Sequence, residues 1–225
     1  MTQLDHVMLF CAAGAPEAEA LRSHGFLEGS GQSHPGQGTR NRRFSFANAY
    51  LELVWVDDEA LARSDLVRPT QLWERWHRRG ADVCPFGLVF RPGSGPTAPP
   101  FPAWSYHPPY LPPDLSIDVA VGVTEAEPLL FHLPFAGNRR PPMTEPMDHP
   151  AGVREFAGVR LHLRGADNLS PSLSRLVSAG IVSTAEASDP FVELLFAGDR
   201  STPLDLRPHL PLVFRPQRPS APRVP

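Results

Sequence analysis

The seven residues LDHVMLF (Leu4–Phe10) predict a buried β-strand that carries one histidine in an otherwise apolar run. Because side chains alternate between the two faces of a strand, we expect Leu4, His6 and Met8 to share one face. Val7 would lie on the other face and pack into the core. A histidine in such a strand needs a polar partner, and its neighbours on that face offer none.

A second stretch, YLELVWV (Tyr50–Val56), repeats the pattern with a glutamate in place of the histidine. The same alternation places Tyr50, Glu52 and Val54 on one face. If the two stretches are strands of one sheet, their polar side chains face the same space. If both side chains also line one pocket, they should lie within about 5 Å, close enough to share one ion or one hydrogen bond.

The composition is that of a folded globular protein and excludes several classes of function. Of the 225 residues 41% are hydrophobic and 20% are charged, and the net charge of -3 gives no attraction to nucleic acid or anionic lipid. All 21 basic residues are arginine, which excludes Schiff-base chemistry, a lysine base and a P-loop. No apolar run approaches the roughly 18 residues of a membrane span, and no signal peptide is recognisable, so we expect a cytoplasmic protein.

The two cysteines, Cys11 and Cys84, are too few for a disulfide framework and do not have metal-binding spacing. We expect both to be reduced and buried as small hydrophobic residues. The motifs GxSxG, HExxH and GxGxxG are absent from the sequence. Hydrolase, zinc-protease and dinucleotide-binding functions therefore have no support from motifs.

The first 57 residues predict the element order β-α-β-β-β. Between the two strands already described, APEAEALRSHG (Ala15–Gly25) predicts a helix, and FLEGSGQ (26–32) and RRFSFAN (42–48) predict strands. A second helix is predicted at TQLWERWHRRG (Thr70–Gly80), followed by a strand at FGLVFR (Phe86–Arg91).

The same element order recurs near the C-terminus. A strand at 158–165 and a helix at 170–180 precede three predicted strands, at 180–187, 190–198 and 204–214. The letters YLELVW are matched there by FVELLF, with Glu193 in the place of Glu52. Together with the proline clusters, this repeat predicts the following domains: paired modules over 1–137, the second irregular and proline-rich, a linker over 138–152, a C-terminal βαβββ module over 153–215 and a tail over 216–225.

Four stretches resemble the vicinal oxygen chelate superfamily, and within it the glyoxalase-like domain proteins. They are LDHVMLF, HPGQGTRNRRFSF (His34–Phe46), YLELVWVDD (Tyr50–Asp58) and PFGLVFRP (Pro85–Pro92). The resemblance implies an α+β fold in which repeated βαβββ modules form a cupped mixed β-sheet, with helices packed on its outer face. It also implies a divalent metal ion in the cup, held by a His or Gln on a module's first strand and a Glu on its fourth.

Transferred to this chain, the resemblance makes His6 and Glu52 metal ligands, with Glu52 also the candidate catalytic base. The second module has Gly87 where a histidine is expected and His132 where a glutamate is expected, so His132 is the third candidate ligand. Imidazole and carboxylate ligands suit Zn, Fe, Ni or Mn. The alternative is that no metal binds and that His6 and Glu52 are a hydrogen-bonded pair lining a pocket.

Five residues are candidates for binding a ligand at the rim of the cup. In the glycine-rich stretch HPGQGTRNRRF, donors for an anion or a carbonyl group are Thr39, Asn41 and Arg43. Tyr50 and Trp104 offer rings for a flat ligand. Each has a structural alternative, because the arginines could be solvated in a hairpin and tryptophans most often pack in a core.

The expected function is an enzyme that acts on a small oxygen-rich molecule by isomerase, lyase or dioxygenase chemistry. The alternative is a metal-free module that binds or sequesters a small molecule. We expect no nucleic-acid or membrane partner. A homodimer is compatible with the sequence. The C-terminal pair His162 and Glu193 is expected to be structural, with Arg160 or Arg164 balancing the carboxylate.

Overall fold

The structure is a computed structural model that describes residues 2–80, 83–93, 98–137 and 144–217. Of the predicted linker, residues 138–143 lie outside this part of the chain, as does the predicted tail from residue 218. The strands are β1 (Thr2–Phe10), β2 (Gln32–His34), β3 (Thr39–Ser45), β4 (Tyr50–Val56), β5 (Phe86–Pro92), β6 (Ala103–Tyr106), β7 (Ile117–Ala120), β8 (Leu129–His132), β9 (Val153–Leu163), β10 (Ser183–Glu186), β11 (Phe191–Gly198), β12 (Leu204–Asp205) and β13 (Leu212–Pro216). The helices are α1 (Ala18–Ser23), α2 (Glu59–Ala62), α3 (Leu72–His77) and α4 (Pro171–Ser178), with a 3-10 turn at Arg68–Thr70.

The first eight strands form one mixed sheet in the order β2-β3-β4-β1-β5-β8-β7-β6. Strand β1 lies at its centre, parallel to β4 on one side and antiparallel to β5 on the other. Along the first pairing, His6 is opposite Tyr50 and Met8 is opposite Glu52. The prediction that the two opening stretches are strands of one sheet is therefore confirmed.

The sheet contains two modules with the same strand order. In the first module β1 pairs in parallel with its fourth strand, β4, and in the second β5 pairs in parallel with β8. The first module has α1 between its first two strands, whereas the described residues between β5 and β6 contain no helix. Prolines dominate that connection, and proline cannot donate the backbone hydrogen bonds of a helix interior. Among the described residues, the second module therefore lacks the helix that the first module has.

The C-terminal residues form a separate sheet in the order β10-β9-β11-β13-β12. One hydrophobic core joins this sheet to the outer face of the first, through residues such as Val7, Leu88, Leu194 and Phe214. Helices α1 and α4 contribute to the same core, in agreement with the predicted helices on the outer face. Most of that face is nevertheless covered by the second sheet.

The C-terminal unit keeps the β-α-β-β-β element order but not the strand pairing of the first module. Its first strand, β9, lies between β10 and β11, whereas in a βαβββ module the first strand pairs with the fourth. The stretch predicted as one strand over 204–214 is interrupted, because Pro208 and Pro211 cannot donate to a ladder. The short strands β12 and β13 pair with each other across that turn.

Two local predictions in the first module are also corrected. The stretch 26–32 is largely loop, and its glycines allow close approach, since a Cβ on Gly31 would lie 2.6 Å from the carbonyl oxygen of Asn41. Helix α3 does not pack on the outer face. Its Leu72 packs with Met8 and Val54 on the inner face, so this helix forms part of the wall of the cup.

A fully buried arginine links α3 to the second module. Arg75 is 1% exposed and donates to the backbone carbonyls of Thr124, Glu125 and Glu127. The carboxylate of Glu127 in turn accepts from the backbone of Thr124 and of Ser170, the N-cap of α4. This network links helix α3, which forms part of the wall of the cup, to residues 124–127 and to the N-terminus of α4.

Replacing Arg75 by methionine should lower the free energy of unfolding by about 1 to 3 kcal/mol, because the buried carbonyl groups of Thr124, Glu125 and Glu127 each lose a hydrogen-bond donor. The matched control is Arg78→Met, which removes an exposed ion pair with Glu125 and should cost roughly 0 to 1 kcal/mol. Urea unfolding of both variants measures the difference. Equal stability of the two variants would contradict a structural role for the buried guanidinium.

Candidate functional site

The inner face of the eight-stranded sheet carries a cavity of about 160 Å³. The first module contributes most of the polar lining, including His6, Asn41 and Glu52. The second module contributes an apolar wall that includes Val89 and Phe131. One end of the cup is therefore polar and the other is apolar.

A register shift in β1 places the side chains of Asp5 and His6 side by side at the floor of the cup. Leu4 is opposite Phe90 in β5 and His6 is opposite Val89, so Asp5 is an extra residue of the kind that a β-bulge inserts. Leu4 packs on the outer core, which corrects the expectation that it shares a face with His6. The bulge lets the Asp5 carboxylate reach the neighbouring imidazole.

His6 is held between two carboxylates. Its Nδ1 lies 2.8 Å from Asp5 Oδ1, and its Nε2 lies 3.3 Å from Glu52 Oε2, as the expected distance of about 5 Å or less requires. All three side chains are at least nine-tenths buried. Burial alone would lower the pKa of His6, but the hydrogen bonds to Asp5 and Glu52 outweigh it and raise the pKa from 6.5 to about 9.

Glu52 is a stronger acid than a free glutamate. Burial alone would raise its pKa, but the hydrogen bond and the charge of His6, with a further hydrogen bond from Asn41 Nδ2, lower the pKa from 4.5 to about 2. At the other end of the network Arg91 Nη1 lies 3.5 Å from Asp5 Oδ2. At neutral pH His6 is an imidazolium and Glu52 is a weak base, which argues against the predicted role of Glu52 in proton transfer.

The three predicted metal ligands do not come together. His132 follows Phe131, which faces the cavity, so the imidazole points to the opposite face and bonds to Asp118 at 2.9 Å. Both nitrogens of His6 already contact carboxylates. Among the described residues no group of three His, Cys, Asp or Glu side chains could hold a metal ion. The donor set therefore does not fit the divalent ion that the resemblance implied.

The second module also has no room for a histidine at the position of Gly87. A Cβ there would lie 2.8 Å from the terminal methyl group of Met8 and 3.1 Å from the carbonyl oxygen of Leu129. A larger residue there would require the end of the Met8 side chain to move and β8 to shift by a few tenths of an ångström, so the site favours a glycine.

The N-terminal part of the sequence matches a known family. Residues 4–93 match the sequence model of the glyoxalase-like domain. These residues are a glyoxalase-like domain. The match covers the first module and the first strand of the second, and it agrees with the resemblance seen in the sequence.

The solved structures that resemble this chain do so only at low identity. A hypothetical protein from Staphylococcus aureus is 9% identical, covering 96% of this chain and 100% of that chain with a TM-score of 0.48. A triple mutant of 4-hydroxymandelate synthase from Streptomyces coelicolor is 10% identical, covering 96% of this chain and 62% of that chain with a TM-score of 0.41. No curated protein matches the sequence. Within the described residues, no helix has the length and apolar character needed to cross a membrane.

Of the residues predicted to bind a ligand, the glyoxalase-like cup brings two to its surface, Asn41 and Tyr50. The Tyr50 ring stacks on His6 with centroids 4.3 Å apart, and Arg43 lies over the same tyrosine in the adjoining outer cleft. Thr39 is buried behind the lining. Trp104 does not line the cavity, because it packs beside the inner core with its ring edge towards Tyr106.

Among the lining residues that sequence reasoning did not single out are four with polar or aromatic side chains: His34, Gln37, Tyr106 and Tyr110. The first two belong to the glycine-rich stretch that was singled out for other donors. The tyrosines belong to the proline-rich second module, where no period of two marks the faces of the strands. Their aromatic character beside prolines was the available signal.

The C-terminal pair is not close to the glyoxalase-like cup and has ion-pair partners of its own. Glu193 is 2% exposed and pairs with Arg160 at 3.5 Å, as expected, and also with Arg215 at 2.7 Å. Arg164, the other expected partner, pairs with Asp189. Neither Glu193 nor His162 lines the cup cavity.

The raised pKa of His6 makes its contribution to stability depend on pH in a defined window. Because the folded pKa of about 9 exceeds 6.5, the contribution is complete below pH 6.5 and is lost as the pH rises through 9. The difference in free energy of unfolding between wild type and His6→Gln should therefore shrink by up to about 3 kcal/mol between pH 6 and pH 9.5.

Urea unfolding at the two pH values measures this difference. His24→Gln, at an exposed position of the first module, is the control and should change stability by less than about 0.5 kcal/mol at either pH. A His6→Gln difference that stays constant or grows with pH would rule out the raised pKa.

Proposed function

We propose that this glyoxalase-like protein binds a small molecule in its cup without a metal ion. The observation that carries the proposal is the closed charge network of Asp5, His6 and Glu52 at the polar end of a cavity with an apolar wall. The network leaves His6 without a free lone pair at neutral pH, and it leaves Glu52 a poor base. Both properties suit recognition of a ligand better than metal binding or proton transfer.

A hydroxyl group fits the polar end best. The Nε2–H of His6 is a charged donor, and the carboxylate of Glu52, 3.3 Å away, is an acceptor. A hydroxyl both donates and accepts, so it can bridge the two groups without leaving either unpaired. A group that only accepts or only donates would satisfy one of them.

An apolar body fits the opposite wall. Val89, Ile117, Phe131 and Leu133 line it, and all come from the second module. Removing apolar surface from water there contributes about 25 cal/mol per Å². We therefore propose a ligand with an aromatic or compact aliphatic body and a hydroxyl group.

A metal-dependent enzyme of isomerase, lyase or dioxygenase type is the second candidate, and one observation favours it. The Nδ1 of His6 is held by a carboxylate, which is how proteins orient a histidine that binds metal through its other nitrogen. In this candidate, loss of the imidazole proton would free Nε2 and bring Zn, Fe, Ni or Mn to His6 and Glu52.

Two broader expectations are part of the proposal. A cytoplasmic location is supported by the two buried free cysteines, Cys11 and Cys84. A homodimer stays a prediction, to be checked by the mass of the protein in solution.

Calorimetric titration with 4-isopropylphenol and with isopropylbenzene tests the binding function. After treatment with chelator, the wild-type protein should bind the phenol at least about 3-fold more tightly than the hydrocarbon, since only the phenol can bridge His6 and Glu52. Glu52→Gln should weaken phenol binding by about 10-fold or more, because it replaces a charged acceptor.

The control variant is Glu193→Gln, which alters an equally buried glutamate outside the cup and should leave phenol binding unchanged. Phenol binding that appears only after Zn²⁺, Mn²⁺, Ni²⁺ or Fe²⁺ is restored, with near-stoichiometric metal, would contradict the metal-free proposal and favour the enzyme. Loss of phenol binding in Glu193→Gln, with retention in Glu52→Gln, would show that the site lies in the C-terminal sheet and not in the cup.

A further inference from the structure

A chain of four polar side chains crosses the cup from the second module to the first. The hydroxyl of Tyr106 donates to Gln37 Oε1 at 3.2 Å. Gln37 Nε2 donates to Thr39 Oγ1 at 2.8 Å. Thr39 Oγ1 lies 2.9 Å from Nδ1 of His34, the last member of the chain.

The directions of these bonds determine which nitrogen of His34 carries a proton. The amide of Gln37 is oriented by Tyr106, so its NH₂ group faces Thr39 and uses the hydroxyl oxygen as an acceptor. The hydroxyl proton of Thr39 then has one acceptor within reach among the described residues, Nδ1 of His34. A hydroxyl has a single proton to donate, so Nδ1 is bare and the proton of the neutral ring is on Nε2.

The surroundings of His34 keep the ring neutral. Burial lowers its pKa, and the positive charges of His6 and Arg43 lower it further, against an opposing effect from Glu52. At neutral pH the ring therefore has one N–H and one bare nitrogen. The bare nitrogen is the one already bonded to Thr39.

His34 lies on the wall of the ligand space. His34 lines both the cup and the adjoining outer cleft, and Nε2 has no hydrogen-bond partner among the described residues. The ring of Tyr110 lies against the imidazole with centroids 4.8 Å apart and restricts its rotation. A fixed donor without a partner is what a site built for a ligand acceptor presents.

We propose that His34 is a second recognition point of the cup, whose Nε2–H donates to a carbonyl, ether or carboxylate oxygen of the ligand. The proposal rests on the proposed function and extends it to a ligand class. The ligand carries a hydroxyl group at the His6–Glu52 end and an oxygen that accepts a hydrogen bond nearer the mouth. An apolar body joins the two.

A pair of isosteric probes tests this role. Hydroxyacetophenone and isopropenylphenol differ only in a C=O group in place of C=CH₂, and the meta and para isomers of each cover two spacings. By calorimetry, wild-type protein should bind the better hydroxyacetophenone roughly 3- to 10-fold more tightly than its isopropenyl isostere.

Two variants at one position separate the donor from the ring. His34→Phe keeps an aromatic ring against Tyr110 but has no donor, so the ratio of the two affinities should fall to about one. His34→Gln restores an N–H donor and should recover part of the ratio. Because a purely structural role would weaken both probes alike, the ratio is informative even if the absolute affinities change.

The outcomes are distinguishable. Equal binding of ketone and isostere by the wild-type protein would overturn the role of His34 and leave the binding cup intact. Binding of neither probe would overturn the proposed function and the role of His34 with it. A preference for the ketone that persists in His34→Phe would assign the donor to another residue and overturn the proposal.

The proton position can be measured without a ligand. Long-range ¹H–¹⁵N NMR of the histidine rings, with His34 assigned by the loss of its signals in His34→Gln, should give the Nε2–H tautomer at pH 7. A ring protonated on Nδ1 instead would make Nε2 an acceptor and overturn the proposal.

Discussion

Strand β1 is the constraint on which the rest of the structure depends. It pairs with β4 on one side and β5 on the other, so it joins the two modules and cannot shift without breaking both ladders. Its outward side chains, Val7 and Leu9, belong to the core that the C-terminal sheet covers. Its inward side chains form the floor of the cup. Side chains of this one strand contact the core on one face and line the cup on the other. Close packing of Val7 and Leu9 in the core therefore also fixes the position of His6.

The chemistry of the cup follows from bringing charges into that interior. A buried imidazolium is stable only if carboxylates surround it, and the bulge at Asp5 supplies one where a regular strand could not. Arg91 balances Asp5, and Asn41 holds Glu52. Each group thus has its partners within the protein. These contacts support the proposal that the site recognises a hydroxyl group.

Sequence alone predicted the parts of this arrangement that depend on local alternation. Leu4–Phe10 and Tyr50–Val56 have clear periods of two and belong to one repeat, which predicted their shared sheet, while the proximity of His6 to Glu52 was predicted from the family resemblance. The role of Asp5 did not, because the bulge depends on pairing with β5. His132 was assigned to the wrong face, since a shift of one residue reverses every side chain and the proline-rich second module has no strong period. The C-terminal pairing was likewise invisible, as element order does not determine which strands become neighbours.

The central claim is that His6 is a charged donor held by Asp5 and Glu52. It is tested most directly by following the ¹H–¹⁵N signals of the His6 ring by NMR across pH 5 to 11 in chelator-treated protein. The account predicts that both ring nitrogens are protonated at pH 7 and that the titration midpoint is about 9. A midpoint at or below 6.5, with a bare ring nitrogen at pH 7, would contradict it, because the imidazole would then be neutral and free to accept a metal ion or a proton.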